Sequence, residues 1–566
     1  ALESGEAVYG LGEKFSSLNR RDGLYRSWNE DALGVNTELS YKNVPFAWSS
    51  KGWGLFVHTT ARTHHGVGYP PWSHRSYILL VEDEGLDLFF LLGSPPEILK
   101  AYAELTGYTP PVPRWSLGVW WSRCYYPTAE QALDVARRLR VEEIPGDVLV
   151  LDGRAWLEVE TRCTLDWDTS RYPDPKAFVN ALKSMGFRLC LWEYPYVSVY
   201  NPLFRELSAQ GFFLRDKAGK SYVYSWDPEP FGPLLTPLPP SGILDFTQEK
   251  VILWWQERHQ KLFDLGVDVM KTDFGEQVPE DAVAANGDTG RYLHNAYALL
   301  YNRAVYEVTP EKLVLARSGF AGSHRYPLHW GGDPQADWEG LAASIRGGLS
   351  WGMSGGTYYA HDVGGFYGTP DPELYLRWVQ AAAFFSHIRF HGTSPREPWY
   401  FGAEATRATR TILNLRMRLI PYLEEAIRES ISLGLPLARA LPLAFPEDPY
   451  AGEFAQEEFM LGSKLLVVPV LRPGGKVRVY IPPGRWYDLW DGKTFEGPDA
   501  FVLQVERERL PLFLREGEVL PWGSSAPRAE EVALEGFIVA GQAGPPLKGG
   551  KKVLRLTESF RLMDWL

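Results

Sequence analysis

Short stretches in which apolar and polar residues alternate fill the first part of the chain. Clear examples are GWGLFVHTT at 52–60 and SYILLVEDEGLDLFFLLG at 76–93, and Gly or Asn residues mark the turns between such stretches. A period of two residues is typical of strands that bury one face of a sheet. We therefore predict an antiparallel β-sandwich over residues 1–112, followed by a linker in the Pro-rich stretch TPPVPRW at 109–115.

From Trp115 onward the pattern changes, because short apolar runs now alternate with longer stretches of helical periodicity such as 128–140 and 175–186. Strands that alternate with helices are typical of βα units and a parallel sheet. Eight such units predict an α/β fold, a (β/α)8 barrel of the TIM type. The candidate strands lie at 115–122, 147–153, 188–195, 267–274, 313–319, 327–333, 355–364 and 384–392.

The barrel domain is predicted over residues 113–430 and carries two irregularities. The connection between its fifth and sixth strands is too short for a full helix. The span from Tyr196 to Asp245 is too long for a plain βα connection. We therefore predict an inserted subdomain at 196–245 that lies over the barrel mouth.

Residues 431–523 return to a pattern of short strands, among them LLVVPVL at 465–471, KVRVYIPPG at 476–484 and RWYDLWDG at 485–492. Strands joined by turns in this way predict a C-terminal β-sandwich. The segment 524–566 shows no clear pattern and stays unassigned.

The composition is that of a globular protein, since 45% of the 566 residues are hydrophobic and 23% are charged. The 58 basic and 70 acidic residues give a formal charge of −12. A negative surface repels phosphate backbones, so nucleic acid is not expected as a partner. No apolar run approaches the length that spans a bilayer, so no membrane partner is expected either.

Cysteine usage bears on the compartment. The three cysteines, Cys124, Cys163 and Cys190, provide neither a disulfide framework nor a paired metal motif. Since no signal peptide is visible, we expect a reducing, cytoplasmic location. The chain does not begin with Met, which leaves a processed N-terminus open. The sequence also leaves open whether the chain forms a homo-oligomer.

Aromatic residues are frequent, with 22 Trp, 29 Tyr and 28 Phe. A large aromatic core explains many of them. Flat rings also stack on the C–H faces of sugars, so a Trp-rich, acidic chain suits a small carbohydrate substrate.

Polar residues end several of the predicted barrel strands. In a barrel of this kind the active site lies at the carboxyl ends of the strands, so these residues are candidates for the site. A single Asp at such a position is often a helix N-cap, but four carboxylates on one face are difficult to explain by capping. The set is Asp152, Trp192, Lys271, Asp273, Arg317, Trp330, Asp333, Asp362 and His391.

Glycoside hydrolysis requires a pair of carboxyl groups that flank the scissile bond. Lys271 lies two positions before Asp273, so both side chains point to one side of a strand, and the ammonium can keep the carboxylate ionised for nucleophilic attack. Asp333 follows a Gly-Gly pair that allows a sharp turn. Trp330 beside it could shield the carboxyl and raise its pKa, as an acid catalyst requires.

Rival chemistries lack their residues. A metal-dependent hydrolase needs several His ligands, but the 11 His include no H-x-H or H-E-x-x-H motif. The same-strand pair His387 and His391 fits packing or hydrogen bonding. A dinucleotide site needs a Gly-rich turn whose spacing GGDPQADWEG and HDVGGFYG do not have. We therefore expect no metal and no organic cofactor.

These strand ends and the segments around them resemble glycoside hydrolase family 31, and within it the α-xylosidase-like branch. KTDFGEQVP at 271–279 is similar to the nucleophile motif of that branch, and HWGGD at 329–333 is similar to its acid/base motif. The resemblance runs from about residue 8 to about residue 522. The further matching motifs are YGLGEKF at 9–15, WNED at 28–31, YKNVPF at 41–46, ARSG at 316–319, HDVGGF at 361–366 and RFHG at 389–392.

The resemblance implies a retaining mechanism on α-linked sugars without a cofactor. Asp273 would be the nucleophile and Asp333 the general acid/base, with their carboxyl groups roughly 5–5.5 Å apart. Asp31, on a loop of the N-terminal domain, would hold a hydroxyl of one terminal sugar, so that cleavage is exo-acting. Cys124 or Tyr125 would face the leaving group. The other sugar-binding residues would be Asp152, Trp192, Lys271, Arg317, Trp330 and His391.

The segment LDGRAW at 151–156 departs from the family pattern. The α-xylosidase-like branch carries Cys and Phe beside the Asp, where they crowd out a 6-hydroxymethyl group, and this chain has Gly153 and Arg154. We therefore predict an α-glucosidase first and an α-xylosidase second. An anionic sugar such as a sulfonated glycoside is third, because Arg154 could pair with an acidic group, although a salt bridge to Glu158 or Glu160 is the simpler role.

Two alternatives concern the reaction itself. A covalent intermediate can pass its sugar to another sugar instead of water, so transglycosylation stays open. A non-catalytic sugar-binding homologue would keep an aromatic pocket but has no need of an acid/base at Asp333. The presence of both carboxylates together with Lys271, Arg317 and His391 favours an enzyme.

Overall fold

The chain folds in the predicted order, with a β domain, a parallel barrel and a second β domain. The computed structural model describes residues 1–158, 164–226, 238–541, 551–557 and 559–566. None of the helices in these ranges is long and apolar enough to cross a membrane.

Short strands form two antiparallel sheets at the N-terminal end. They are β1 (Val8–Gly10), β2 (Gly23–Ser27), β3 (Phe46–Ser49), β4 (Trp53–Val57), β5 (Thr63–Val67), β6 (Tyr77–Val81) and β7 (Leu88–Leu92). One sheet has the order β1-β3-β4-β7 and the other the order β2-β5-β6. Along β7, Phe89 and Leu91 pack against the core whereas Phe90 and Leu92 are exposed, as a period of two requires.

A helix that the alternation does not predict ends this region, namely α1 (Pro95–Thr106). The Glu97 carboxylate accepts the backbone N–H of Ser94 at 2.8 Å, and Pro95 occupies the first turn. Both features favour a helix start. Its apolar face is buried against the first sheet, so the predicted sandwich segment contains a helix as well as strands.

The next strands build the barrel and its insertion. They are β8 (Val119–Arg123), β9 (Val148–Leu151), β10 (Arg188–Glu193), β11 (Tyr196–Ser198), β12 (Val223–Tyr224), β13 (Ser241–Ile243), β14 (Val269–Thr272), β15 (Val314–Ala316), β16 (Asp362–Val363) and β17 (Ile388–Phe390). The sheet β15-β14-β10-β9-β8-β17-β16 is parallel throughout, which confirms the predicted fold class. The strands β11, β13 and β12 form a small antiparallel sheet inside the segment 196–245.

The predicted sixth barrel strand, 327–333, is short and pairs with both of its neighbours. Parallel bridges join His329 to Ala316 and Trp330 to Ala360, and the Val314 N–H donates to the Pro327 carbonyl at 2.8 Å, so this segment closes the ring of strands. Gly332 ends it, because the chain turns there with a φ of 75°.

Helices cover the outside of the parallel sheet. They are α2 (Ala129–Val141), α3 (Gly153–Trp156), α4 (Pro175–Ser184), α5 (Leu203–Ala209), α6 (Glu249–Leu265), α7 (Gly290–Val308), α8 (Trp338–Gly352), α9 (Pro372–Ala382), α10 (Ala403–Arg418) and α11 (Ile420–Leu433). The Thr128 side chain accepts the N–H of Gln131 and starts α2, and the Asp174 carboxylate accepts the N–H of Ala177 and starts α4. Both helices lie where helical periodicity predicts them.

The C-terminal region consists mainly of antiparallel strands, with two short helices, α12 (Leu441–Ala444) and α13 (Ala451–Phe454). Its strands are β18 (Ala438–Ala440), β19 (Phe459–Leu461), β20 (Leu465–Val467), β21 (Lys476–Asp488), β22 (Thr494–Gln504), β23 (Leu512–Arg515), β24 (Val519–Gly523), β25 (Leu534–Ala540) and β26 (Lys552–Leu556). One sheet has the order β18-β19-β20-β23-β21-β22 and the other the order β24-β25-β26.

Two features of this region differ from the sequence pattern. The single strand β21 replaces the two strands predicted at 476–484 and 485–492, because the Pro-Pro-Gly break is a register shift between Ile481 and Gly484 and not a turn between strands. The unassigned segment 524–566 supplies β25 and β26, which extend the sheet that begins with β24.

Candidate active site

The ends of the barrel strands line a narrow cavity of about 80 Å³. The carboxyl ends of the strands are where active sites of such barrels lie. Predicted residues in its wall are Cys124, Asp152, Arg154, Trp192, Lys271, Asp273, Arg317, Asp333 and His391. The wall also contains residues that the sequence pattern did not single out, namely Trp226, Leu238, Phe274 and Phe366.

Asp273 follows β14 and is held by donors on both carboxylate oxygens. Trp192 Nε1 donates to Oδ2 at 2.7 Å and the Phe274 N–H donates to Oδ1 at 2.8 Å. Lys271 Nζ lies 3.6 Å from Oδ2 and Arg317 Nε lies 3.2 Å from Oδ1. Burial alone would raise the pKa of Asp273, but the two cations and the indole donor outweigh it and lower the pKa. The carboxylate is therefore held in its ionised form and in a fixed orientation.

Asp333 has the opposite electrostatics. Arg317 Nη1 lies 3.6 Å from its Oδ2, and its backbone N–H donates to the Tyr41 hydroxyl at 3.4 Å. Burial raises the pKa of Asp333 well above its usual range, and the negative charges of Asp273, Asp362 and Asp31 add to the effect of burial against the opposing charge of Arg317. This carboxyl therefore keeps its proton to higher pH than an ordinary aspartate does, as suits an acid catalyst.

Arg317 connects these two carboxyls to two more. Its Nε and Nη2 donate to Glu276 at 2.9 Å each, and its Nη2 lies 3.5 Å from Asp31 Oδ2. Burial would lower the pKa of Arg317, but the charges of Asp31, Glu276 and Asp273 raise it well above its usual value. One permanently charged guanidinium thus serves four carboxyl groups, those of Asp31, Asp273, Glu276 and Asp333.

Glu276 is the site residue that sequence reasoning missed. It is buried and lies three positions after Asp273, within the KTDFGEQVP motif. The chain reverses between them because Phe274 and Gly275 have φ values of 60° and 100°. Ser318 Oγ donates to the Phe274 carbonyl at 2.7 Å and supports this turn. A motif position with a carboxylate was the available signal, but the direction of its side chain depends on the turn.

Asp152, Lys271 and His391 form a second polar group in the cavity wall. Lys271 Nζ donates to Asp152 Oδ2 at 3.1 Å, and His391 Nε2 lies 3.7 Å from the same oxygen. Burial lowers the pKa of His391 well below its usual value, with Lys271 and Arg389 adding to the effect, so the ring is neutral. Asp152 occupies the N-cap position of α3 but its side chain makes no cap hydrogen bond, so its carboxylate serves the cavity.

Asp31 comes from the N-terminal domain but lies in the barrel mouth beside Arg317. Its loop is anchored on the barrel, since the Asn29 N–H donates to Asn295 at 2.9 Å and Asn29 Nδ2 donates to the Gly319 carbonyl at 2.9 Å. Burial raises the pKa of Asp31 and Asp273 adds to this, while Arg317 opposes it. Asp31 is therefore buried beside Arg317 and does not lie on the outer surface of the N-terminal domain.

Trp330, Tyr125 and Asp31 are not part of the cavity wall, whereas Cys124, the alternative to Tyr125, is part of it. The Trp330 ring is fully buried below the site, with its centroid 4.8 Å from Lys271 Nζ, so it supports the lysine and does not line the pocket beside Asp333. Cys124 does line the cavity, and burial raises the pKa of its thiol so that it stays protonated.

Gly153 does not open space toward a sugar. A Cβ at this position would lie 2.4 Å from the Trp192 ring, so the indole already fills the volume that a side chain would occupy. The glycine is required by the packing of Trp192. Its absent side chain therefore gives no support to the predicted room for a 6-hydroxymethyl group.

Arg154 projects from α3 into the cavity wall. Among the described residues, no carboxylate lies within 4.0 Å of its guanidinium as an ion pair. Glu160, one of its two predicted partners, lies outside the described residues. Arg154 lines the cavity together with Cys124 and Trp226.

A wider cleft of about 590 Å³ lies between the N-terminal domain and α7. Its described lining includes one carboxylate, Asp83, and so offers no acid and base pair. Within the described ranges, no cluster of three His, Cys, Asp or Glu side chains is arranged to hold a metal ion. The smaller cavity with its paired carboxyls is the one equipped for catalysis.

A parallel barrel whose strand ends bring an ionised carboxylate and a protonated carboxyl into one cavity is the arrangement of a glycoside hydrolase. Residues 109–426 match the glycosyl hydrolases family 31 TIM-barrel domain. Residues 1–65 match the glycosyl hydrolase 31 N-terminal galactose mutarotase-like domain, and residues 434–520 match the family 31 C-terminal domain. The chain belongs to glycoside hydrolase family 31.

Known relatives agree with this assignment. An alpha-xylosidase of Emericella nidulans is 34% identical over 95% of this chain and 69% of its own length. The alpha-glucosidase 2 of Bacillus thermoamyloliquefaciens is 29% identical over 92% of this chain and 68% of its own. The Flavobacterium johnsoniae GH31 dextranase complexed with glucose superposes with a TM-score of 0.88 at 30% identity, covering 95% of this chain and 69% of the dextranase. The chain is accordingly a glycoside hydrolase.

Proposed function

We propose that the enzyme is a retaining, exo-acting α-glycosidase that releases one terminal sugar. The observation that carries this proposal is the opposite displacement of two pKa values, lowered at Asp273 and raised at Asp333, around one guanidinium. Two carboxyl groups whose pKa values are shifted in opposite directions take the roles of nucleophile and acid.

The first step forms a glycosyl ester. An Asp273 oxygen attacks the anomeric carbon, the bond to the glycosidic oxygen breaks, and Asp333 gives its proton to that oxygen. The positive charges of Lys271 and Arg317 hold the attacking carboxylate ionised until the ester forms. The sugar is then bound covalently with inverted configuration, and the aglycone leaves as an alcohol.

The second step restores the enzyme. The Asp333 carboxylate accepts a proton from water while the water oxygen attacks the anomeric carbon, and the ester bond to Asp273 breaks. Two inversions give net retention. A second sugar in place of water would give transglycosylation, which uses the same residues.

The cavity supports cleavage at a chain end. Asp152 and His391 line the narrow cavity, and Asp31 of the N-terminal domain lies behind this wall, 3.5 Å from Nη2 of Arg317. A carboxylate can hold two hydroxyls of one ring, and each charge-assisted hydrogen bond is worth roughly 1.5–3 kcal/mol. Such a clamp favours a terminal sugar over one inside a chain.

For the sugar itself we propose an α-glucoside. The guanidinium of Arg154 stands where bulky apolar groups would crowd the ring of the substrate, and it can donate a hydrogen bond to a 6-hydroxyl group. The relative named alpha-glucosidase 2 is in keeping with this choice.

An α-xyloside is the second candidate. It is favoured by the 34% identity to two relatives named alpha-xylosidases and by the finding that the Trp192 ring fills the space beside Gly153. The ratio of kcat/KM for an aryl α-glucoside and the matching aryl α-xyloside decides between them. A ratio above one supports the glucoside and a ratio below one the xyloside.

Stereochemistry and covalent labelling test the mechanism. We expect the first sugar released, followed by NMR, to be the α anomer, and a 5-fluoro α-glycosyl fluoride to leave a label on the peptide that contains Asp273. Release of the β anomer would contradict retention, and a label on any other carboxylate would contradict the assigned nucleophile. Failure to release the aryl group from any α-glycoside would contradict the activity itself.

Unpaired cysteines bear on the compartment. Cys124 and Cys190 form no disulfide in the described part of the chain, and Cys163 lies outside it. We propose that the enzyme works in a reducing compartment such as the cytoplasm.

A further inference from the structure

A fully buried lysine of the N-terminal domain lies directly behind the active site. The Lys42 ammonium donates to the Trp330 carbonyl at 2.7 Å and to the Arg317 carbonyl at 3.1 Å, and it pairs with Glu13 Oε2 at 2.8 Å. Two of its donors are therefore used by the carbonyls, and Glu13 supplies the opposite charge. Tyr359 donates to the other Glu13 oxygen at 2.7 Å, so the ion pair is itself fixed by the barrel.

The two carbonyls belong to adjacent segments of the barrel. Arg317 follows the end of β15, and Trp330 lies in the neighbouring segment 327–333, where its N–H donates to the Ala316 carbonyl at 3.1 Å. Lys42 adds a parallel bridge to Gly319. One side chain of the N-terminal domain thus binds the backbone of both segments.

The neighbouring tyrosine contacts the turn that carries the acid. The Tyr41 hydroxyl accepts the Asp333 N–H at 3.4 Å, and its ring lies 4.8 Å from the Arg317 guanidinium carbon. A Cβ at Gly332 would lie 2.1 Å from the Tyr41 ring, so the ring fills the inside of the turn. Tyr41 is fully buried, as Lys42 is.

We propose that Tyr41 and Lys42 are positioning residues for the reaction, which fix the Asp333 turn and Arg317 relative to Asp273. This role rests on the proposed acid/base function of Asp333. A buried ion pair contributes little net stability compared with apolar side chains of similar volume. A role in position is therefore a better account of the Lys42–Glu13 pair than a role in stability.

The test compares Tyr41→Phe and Lys42→Met with the wild type on aryl α-glycosides whose leaving groups differ in acidity. If the pair positions the acid, both variants lose activity mainly on poor leaving groups, which need the proton. We expect a loss of about tenfold for Tyr41→Phe and about a hundredfold for Lys42→Met on poor leaving groups, and a much smaller loss on activated ones. Lys42→Arg, which keeps the charge, should recover part of the activity.

Two matched controls separate position from stability. Tyr77→Phe removes another buried hydroxyl of the same domain, which contacts His65, and Lys464→Met removes an ammonium that binds a carbonyl and a glutamate far from the site. Both should keep the leaving-group dependence of the wild type.

The outcomes are distinct. An equal loss on all leaving groups, unchanged activity in a folded Tyr41→Phe, or the same pattern in the controls would overturn the positioning role. If Lys42→Met does not fold, Tyr41→Phe decides alone. A wild type that cleaves no aryl α-glycoside would overturn the proposed function, and this role with it.

Discussion

Asp273 and Asp333 occupy two walls of one cavity and differ in their protonation for reasons that burial does not explain. Their side chains are similarly buried, at 10% and 14% exposure, and both lie within 4 Å of Arg317. Asp273 also receives an indole N–H and a backbone N–H and lies near Lys271. Among the described residues, no hydrogen bond reaches the Asp333 carboxyl.

The difference shows that donors, and not depth, set the opposite pKa shifts of the two carboxyl groups. Asp273 follows the regular strand β14. Lys271 on β14 and Trp192 on the neighbouring strand β10 are in register and point toward Asp273. Asp333 follows a glycine turn, and what holds it there is its amide contact with Tyr41. The regular strands around Asp273 supply donors that stabilise its negative charge. The turn that carries Asp333 supplies fewer donors, which favours the protonated carboxyl.

Removing the ionised member should have the largest effect. Asp273→Ala should lose about 10⁴-fold or more in kcat on every substrate, because no other carboxylate can form the ester. The measurement is kcat for an activated aryl α-glycoside. Asp134→Asn serves as a comparison, since Asp134 pairs with Arg137 on the exposed face of α2. Activity in Asp273→Ala close to that of Asp134→Asn would contradict the assignment.

Removing the Asp333 carboxyl should affect substrates differently according to the acidity of their leaving groups. Asp333→Ala should lose about 10²–10⁴-fold in kcat/KM on disaccharides, which need a proton, and far less on activated aryl glycosides. The alkaline limb of the pH profile should also disappear, because in the wild type activity falls as pH rises through the elevated pKa of Asp333. A variant that keeps this limb would show that another group is the acid.

Removing the carboxylate of Asp31 should have a smaller effect. Asp31→Ala should lose about 10- to 150-fold in kcat/KM on a terminal glucoside, the equivalent of one charge-assisted hydrogen bond of about 1.5–3 kcal/mol. Glu30→Gln is the matched control, because Glu30 directly precedes Asp31 and its carboxylate pairs with Arg26 at the surface. Equal losses in the two variants would mean that the loop is disturbed and that Asp31 holds no hydroxyl.

The two-residue period of the strands and the topology of the barrel explain how much of this site is predictable from the sequence. The alternation along 267–274 places Lys271 and Asp273 on one side of a strand, and the barrel rule brings the strand ends together. The structure places both residues in one cavity, together with Trp192 and Arg317. These positions follow from regular geometry, which repeats from barrel to barrel.

Residues that depend on turns or on the contact between domains are not predictable in this way. Glu276 reaches Arg317 only because Phe274 adopts a left-handed conformation. Trp330 was expected beside Asp333, but the glycine turn between them sends its ring beneath Lys271. Lys42 binds backbone atoms far along the chain, and no local period encodes such a contact.

The smallest effect is expected for Glu276, whose carboxylate competes with Asp273 and Asp333 for the charge of Arg317. Glu276→Gln removes a negative charge that binds the guanidinium through two hydrogen bonds. The positive field of Arg317 on Asp273 and Asp333 then grows, so both pKa values should fall. Both limbs of the pH profile of kcat/KM should therefore move to lower pH, by about one unit or less, while the maximal rate changes less than about tenfold. Glu397→Gln is the control, since this buried glutamate pairs with Arg123 outside the cavity wall. Movement of either limb to higher pH would contradict the shared-guanidinium account, and unmoved limbs would mean that Glu276 already carries a proton in the wild type.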